Sequence, residues 1–233
     1  MGERVALVTG ASRGIGAATA RALAARGHHV ILTARDVASL EAVEDAIHTS
    51  GGTATIAPLD LLDGDSIGRL AGAVAARWSA LDLLVLNAAT LGTLSSVAHV
   101  DLKEFARTVA LNLTAQGALI AAFDALLRAS TAPRVIGVTS SVARTPRAYW
   151  GAYAASKAGF EALLRAYDQE NRNVGRVAVA LVDPGATRTA MRARAFPGED
   201  PQDVKSPDVV AARIAELAEA AISADYYERV NDE

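Results

Sequence analysis

Tyr153 and Lys157 stand four residues apart in Y-A-A-S-K, a spacing that puts both side chains on one face of a helix. A free tyrosine hydroxyl titrates near about pH 10 and is a poor acid or base at neutral pH. An ammonium a few ångströms away stabilises the phenolate and lowers that pKa. Paired in this way, the tyrosine can pass a proton to or from an oxygen atom. The place of the pair in the chain supports the reading, because its helix follows an apolar run, Arg134 to Thr139, that ends in Ser140-Ser141.

The other stretch with chemistry in it runs from Arg4 to Gly16, R-V-A-L-V-T-G-A-S-R-G-I-G. Val5 to Val8 is nearly continuous in apolar residues, as a strand covered on both faces should be. Gly10, Gly14 and Gly16 follow, then helix-favouring residues with no proline. A strand, a glycine-rich turn and a helix that starts at the turn make a phosphate site. N–H groups and the positive end of the helix attract a pyrophosphate, and the glycines let the backbone come close. The spacing Thr-Gly-x-x-x-Gly-x-Gly is neither the general G-x-G-x-x-G nor a P-loop. Alone, such a turn can bind nothing, and the rest of the chain must decide.

Two such constellations need a scaffold that brings them together, and the chain alternates strand and helix throughout. Strands are expected at His28 to Ala34, Thr53 to Pro58, Leu81 to Leu86, Arg134 to Thr139 and Arg176 to Val182. Helices are expected at Val37 to Ser50, Asp65 to Trp78, Asp101 to Ala129, Gly151 to Asn171 and Ser206 to Ile222. The pattern implies right-handed crossovers and a Rossmann-type, doubly wound α/β fold with a mostly parallel sheet of six or seven strands. In such sheets ligands bind beyond the carboxyl ends of the strands. The polar residues cluster there: Thr9 to Gly16, Arg35-Asp36, Asp60, Asn87 to Ala89, Ser140-Ser141 and Asp183 to Gly185. A nicotinamide held in that crevice would set Tyr153 to protonate a carbonyl as hydride arrives, or to deprotonate an alcohol as hydride leaves.

Taken together, these residues resemble the short-chain dehydrogenases/reductases of the Tyr-x-x-x-Lys type, over about Val5 to Met191. The resemblance rests on T-G-A-S-R-G-I-G at Thr9 to Gly16, Asp60, N-A-A at Asn87 to Ala89, Asn112, Ser141, Y-A-A-S-K at Tyr153 to Lys157 and P-G-A-T-R-T at Pro184 to Thr189. It implies that Tyr153 is the acid/base, that Lys157 lowers its pKa and holds the nicotinamide ribose, and that Asn112 belongs to a water-linked proton relay. It further implies cofactor contacts from Gly10, Ser12, Arg13, Gly14, Ile15, Gly16, Arg35, Asp60, Leu61, Asn87, Ala88, Ala89, Pro184, Gly185 and Thr187. A serine would hydrogen-bond the substrate oxygen. The family's usual distance to the tyrosine selects Ser140, whereas the local S-S-V-A pattern selects Ser141, the serine expected here. The family usually closes with a seventh strand, which the ending A-I-S-A-D-Y-Y-E-R-V-N-D-E leaves short or missing. The segment 188–206 is expected to be a short substrate lid, with Tyr149, Trp150 and Met191 as apolar wall and Arg188, Arg192 and Arg194 as candidates for a charged substrate group.

Cofactor choice follows from charge. Enzymes selecting NAD place an acid after the second strand, whereas an arginine there favours the 2'-phosphate of NADP. Ala34 occupies that place, with Arg35 beside it and Arg13 within reach, so NADP(H) is expected over NAD(H). His28, His29, His48 and His99 share no metal spacing, and Asp60, Asp63 and Asp65 lack the glycine and glutamate of a calcium loop, so no metal is expected.

The 233 residues suit one domain. With 51% hydrophobic and only 5% aromatic residues, the interior is built from Ala, Val, Leu and Ile. A net charge of -3 with interspersed signs argues against a nucleic-acid partner. No cysteine is present, which removes thiol and disulfide chemistry. Met1 to Arg4 leads straight into the first strand, and no apolar run is read as a membrane span, so the expected compartment is the cytoplasm. A homodimer through the long helices 101–129 and 151–171 is expected. Two other readings stand beside the oxidoreductase: a nucleotide-sugar epimerase or dehydratase, which lacks its usual glycine spacing here, and a cofactor-binding sensor without turnover, which would typically have lost Tyr153 or Lys157.

Overall fold

The computed structural model describes residues 4–172, 174 and 177–231. The elements in order are β1 (Arg4–Thr9), α1 (Gly14–Ala25), β2 (His28–Thr33), α2 (Val37–Thr49), β3 (Thr53–Ile56), α3 (Gly64–Arg77) and β4 (Leu83–Leu86). They continue with α4 (Leu102–Val109), α5 (Ala115–Ala129), β5 (Arg134–Val138), α6 (Gly151–Arg172), β6 (Ala178–Asp183), α7 (Ala190–Ala195), α8 (Pro207–Leu217) and β7 (Tyr226–Arg229). The strands form one sheet in the order β3-β2-β1-β4-β5-β6-β7, with every neighbouring pair parallel. This is the Rossmann-like α/β architecture. The order reverses between β1 and β4, which opens a crevice at the carboxyl ends of the strands.

Strand periodicity divides the core. Ala6 and Val8 of β1 face α1, α2 and α8, where Leu23, Leu40 and Ile214 are fully buried. Val5 and Leu7 face α3, α5 and α6, where Phe123 and Phe160 fill the other layer. Each of those rings contributes roughly 1.5–3 kcal/mol by burial. Gly137 of β5 makes room for α6, because a β-carbon there would lie 2.2 Å from Leu164 Cδ1 and 2.8 Å from Phe160 Cζ. That close approach sets the height of α6 above the sheet, and with it the height of Tyr153 and Lys157.

Several expectations change. The seventh strand is present, its backbone paired to β6 from Ala180–Tyr226 to Asp183–Arg229. The helix expected at Asp101 to Ala129 is interrupted by a π-turn at Ala110–Thr114. The cause is local: Asn112 turns into the loop after β4, and Gln116 Nε2 takes the Leu111 carbonyl at 2.8 Å. The whole stretch Leu102–Ala129 contains an 18-residue window of mean hydropathy 1.4, so one helix is long and apolar enough to cross a membrane by length and composition. Leu119, Phe123 and Leu127 of that helix are buried against the sheet. The last helix ends at Leu217 rather than Ile222, and the lid carries an unanticipated short helix, α7. The expected start of the sixth strand at Arg176 lies outside the described residues.

Candidate active site

Thr9, the last residue of β1, ties the glycine turn to β4. Its Oγ1 donates to the Val85 carbonyl at 3.1 Å and accepts from the backbone N–H groups of Asn87 and Ala88 at 2.9 and 3.0 Å. Asn87 returns the contact, its Nδ2 donating to the Thr9 carbonyl at 2.8 Å. Gly16 is where the turn needs glycine most, since a β-carbon would fall 2.1 Å from the Gly10 carbonyl oxygen and 2.6 Å from Asn87 Nδ2. The start of α1 is thereby pressed against the ends of β1 and β4, with its first N–H groups at the crevice. A cavity of about 460 Å³ beside the turn is lined by Ser12, Arg13, Gly14, Arg21 and Ser39 among others.

Arg13 and Arg35 are both exposed, and neither is paired with a carboxylate among the described residues. Arg13 reaches over the end of β2: the Asp36 carboxyl is held below the usual range by the Ser39 hydroxyl and, less strongly, by the charge of Arg13. The residues present therefore fit a dinucleotide bearing an extra phosphate, with a cradle that a β-carbon would fill and two uncommitted guanidinium groups beside it. Asp60 accepts from the Leu62 N–H at 3.0 Å and shapes its own loop, Leu61 packs against the α3 side of the core, and Ile15 packs against the α1 side.

At the end of β5 the chemistry converges. Tyr153 is 7% exposed, with the Ser140 side chain beside its phenol. Ser140 keeps extended backbone and stays beside the tyrosine, whereas Ser141 begins a 3-10 turn, Ser141–Ala143, and its carbonyl accepts from Arg144 and Thr145. Burial pushes the Tyr153 phenol up to about 12, with the Asp183 charge adding and the Ser140 hydrogen bond opposing. Lys157, 3% exposed, donates to the Val138 carbonyl at 2.8 Å and lies 4.9 Å from the Phe160 ring centre. Burial brings its ammonium down to about 8, against the charge of Glu161. The Lys157 ammonium is turned to the carbonyl of Val138 at the end of β5.

Asn112 is fully buried in the π-turn. Its Oδ1 accepts from the Thr90 N–H, and its Nδ2 donates to the Thr90 carbonyl, both at 2.8 Å, and to Ser156 Oγ at 3.0 Å. It links the loop after β4, the π-turn and α6. On the far side, the Asp183 Oδ1 accepts from the Gly185 N–H at 3.0 Å, and Thr187 Oγ1 donates to the Pro184 carbonyl at 2.8 Å. Ala88 and Ala89 are half-buried at the crevice floor.

An apolar wall surrounds the tyrosine. Leu91, Val142, Tyr153 and Ala154 form a cluster joined by Leu94, Trp150, Met191 and Ala195. Trp150 meets Tyr153 edge-on at 6.0 Å and tilts against Phe196 at 5.7 Å. Tyr149, expected in this wall, instead points into solvent at 63% exposure on a backbone with φ 71. The lid arginines are mostly committed: Arg192 pairs with Glu199, its Nε at 2.6 Å, and Arg194 Nη2 donates to the Gly92 carbonyl at 2.8 Å. Arg188 is exposed. Sequence reasoning passed over Thr9, Thr90 and Glu161 as site residues, because each acts through contacts with residues distant in the chain.

Residues 4–200 match the family model described as short chain dehydrogenase. The chain is 37% identical over 210 residues to the uncharacterised oxidoreductase YciK of Escherichia coli K12, covering 89% of this chain and 82% of that protein. It is 34% identical to cis-4-hydroxycyclohexanecarboxylate dehydrogenase of Sinomonas cyclohexanicum, covering 95% and 91%. Among solved structures it superposes with a TM-score of 0.93 on a short chain dehydrogenase of Shigella flexneri 2a complexed with NADP, at 33% identity over 99% of this chain and 98% of that one. A short chain dehydrogenase of Escherichia coli CFT073 complexed with NADPH also gives a TM-score of 0.93 at 33% identity, over 100% and 98%. The seven-stranded parallel sheet agrees with these matches, and the chain belongs to the short-chain dehydrogenase/reductase family of oxidoreductases.

Proposed function

We propose that this oxidoreductase interconverts a carbonyl and a secondary alcohol with NADP(H), and that Tyr153 moves the proton. The observation that carries the reading is the buried Tyr153 phenol beside Ser140 at the carboxyl end of β5, with Lys157 one helical turn away and donating to the Val138 carbonyl at 2.8 Å. When bound, the nicotinamide supplies or accepts the hydride. Tyr153, with its phenol pushed up to about 12, holds its proton at neutral pH and is suited to give it to an oxygen on which negative charge develops. Ser140 donates a second hydrogen bond to that oxygen and orients it. Lys157 would hold the ribose hydroxyls and resupply the proton, on the part of α6 that Asn112 braces through Ser156. Arg13 and Arg35 would hold the 2'-phosphate. Leu94, Val142, Trp150 and Met191 favour a partly hydrophobic compound and exclude water from the reacting carbon.

Titration of the purified protein with NADPH and NADH side by side tests the reading. NADPH is expected to bind at least about tenfold more tightly, the size of one well-placed charge-assisted contact. Equal affinities, or a preference for NADH, would reject the arginine argument. Against a panel of ketones and aldehydes, Tyr153→Phe is expected to keep NADPH affinity and lose about 10²–10⁴ in turnover. A variant that still turns over at the parent rate would remove Tyr153 from the mechanism.

A further inference from the structure

Glu161 lies on α6 one turn beyond Lys157 and is 2% exposed. A carboxylate that deep costs several kcal/mol unless it is paired and fully hydrogen-bonded. It is. Thr139 Oγ1 donates to its Oε1 at 2.8 Å, while Arg144 Nε at 3.0 Å and Arg165 Nη2 at 2.9 Å donate to its Oε2. Thr139 directly precedes Ser140, and Arg144 follows the turn that Ser141 opens. The Arg144 guanidinium in turn stacks 3.3 Å from the Tyr227 ring of β7, whose hydroxyl donates to Asp183 Oδ2 at 3.3 Å. One carboxylate thus joins the helix that carries Tyr153 and Lys157 to the segment that carries Ser140. Through Arg144 and Tyr227 it also reaches the Asp183–Gly185 turn on the far side of the crevice.

We propose that Glu161 is a positioning residue, a buried anion that keeps the Lys157 side chain charged and locks the 139–144 segment against α6. The proposal rests on the functional reading of Tyr153 and Lys157 given above. The groups around Lys157 settle the sign. On β5 it donates to the Val138 carbonyl, and the Asn112–Ser156 pair at the π-turn is uncharged. Along α6 the charged or titratable groups within two turns or so of Lys157 are Tyr153, Glu161 and Arg165, with Tyr167, Asp168, Glu170 and Arg172 further along. From the 139–144 segment comes Arg144, from β6 Asp183, and from β7 Tyr227 and Arg229, the last 4.0 Å from Asp183. Arg165 also pairs with Asp225 at 3.3 Å on the solvent side. Removing the charge of Glu161 takes away the carboxylate one helical turn from Lys157 and leaves Arg144 and Arg165 without the anion they share, while removing Arg165 strengthens the hold of Glu161 on the ammonium.

The test uses the full chain labelled with carbon-13 at lysine Cε. Only Lys103, Lys157 and Lys205 carry the label, and Lys157→Arg identifies the resonance. In the free protein, Glu161→Gln is expected to lower the midpoint of the Lys157 titration by about one pH unit, roughly a tenfold change in the protonation equilibrium. Arg165→Met is expected to raise it. The alkaline limb of kcat/KM with NADPH should move in the same directions, whereas general damage to the fold would lower the rate at every pH and leave the limb in place. A Lys157 resonance unmoved in both variants would overturn the role of Glu161. Should Glu161→Gln not fold, Arg165→Met still decides, because an unshifted midpoint there is equally fatal. A resonance that moves while the kinetic limb stays fixed would instead overturn the assignment of Lys157 to turnover, and with it the inference.

Discussion

A lysine as buried as Lys157 destabilises the fold that holds it. Its folded-state pKa is brought down to about 8 from the ordinary 10.5. Below about 8 it is charged in both folded and unfolded chains, and the full cost of burying the ammonium is present. Between those values the folded state gives up its proton first, so stability rises with pH. The shift corresponds to something on the order of 3 kcal/mol. Tyr153 works the other way but only above 10, because its phenol is raised to about 12 from 10.0. The window from pH 8 to 10 therefore reports Lys157. Lys157→Met is expected to raise Tm at pH 7 while abolishing turnover, and calorimetry at increasing pH should find the gain shrinking through that window. A gain independent of pH would mean that the ammonium is not the source of the cost.

At the scale of elements, the strand-turn-helix unit at Arg4–Ala25 works only because two strand ends and one helix start crowd together. Gly16→Ala sets a β-carbon against the Gly10 carbonyl and Asn87, contacts that belong to backbone and to a side chain already hydrogen-bonded. The overpacking is expected to cost about 1–3 kcal/mol, a Tm lower by roughly 2–12 °C, and to weaken NADPH binding at least about tenfold. Gly68→Ala in the middle of α3 meets nothing within 4 Å and serves as the control, expected to be neutral or stabilising by up to about 1 kcal/mol. Equal melting temperatures for Gly16→Ala and the parent, with NADPH affinity intact, would mean that the turn has more room than its backbone displays. The turn was legible from glycine spacing. Its anchoring by Thr9 was not, because Thr9 bonds to Val85, Asn87 and Ala88, more than seventy residues away.

For the whole molecule, α5 and α6 leave alanines outward: Ala118, Ala121 and Ala125 on one, Ala155, Ala158, Ala162 and Ala166 on the other. A smooth face of that kind on two long helices suits close packing against a second copy. We propose a homodimer through it. Sedimentation at micromolar concentration is expected to give the mass of two chains, and Ala158→Glu the mass of one with an unchanged far-ultraviolet spectrum. A parent protein that sediments as a single chain would set the face aside. The same alanines are why Leu102–Ala129 scores as apolar along its length, although only its Leu119, Phe123 and Leu127 side is buried in the core.

What the sequence determined by itself is whatever a single turn or strand can express. The alternation of elements, the glycine turn and the Tyr153–Lys157 face all follow from periods of two and 3.6 residues and from backbone freedom at glycine. The tertiary structure decided the rest. Ser140 keeps extended backbone while Ser141 opens a 3-10 turn, because where the chain leaves extended geometry depends on how the 139–144 segment is held from outside. β7 forms because β6 offers an unpaired edge to Tyr226–Arg229, a short segment with little strand signal of its own. The ionisation of Tyr153 and Lys157 is governed by depth beneath Phe160, Trp150 and the lid, and Glu161 acquires its place only when donors from two other segments close around it. Burial and long-range pairing are properties of packed surfaces, and no local pattern encodes them.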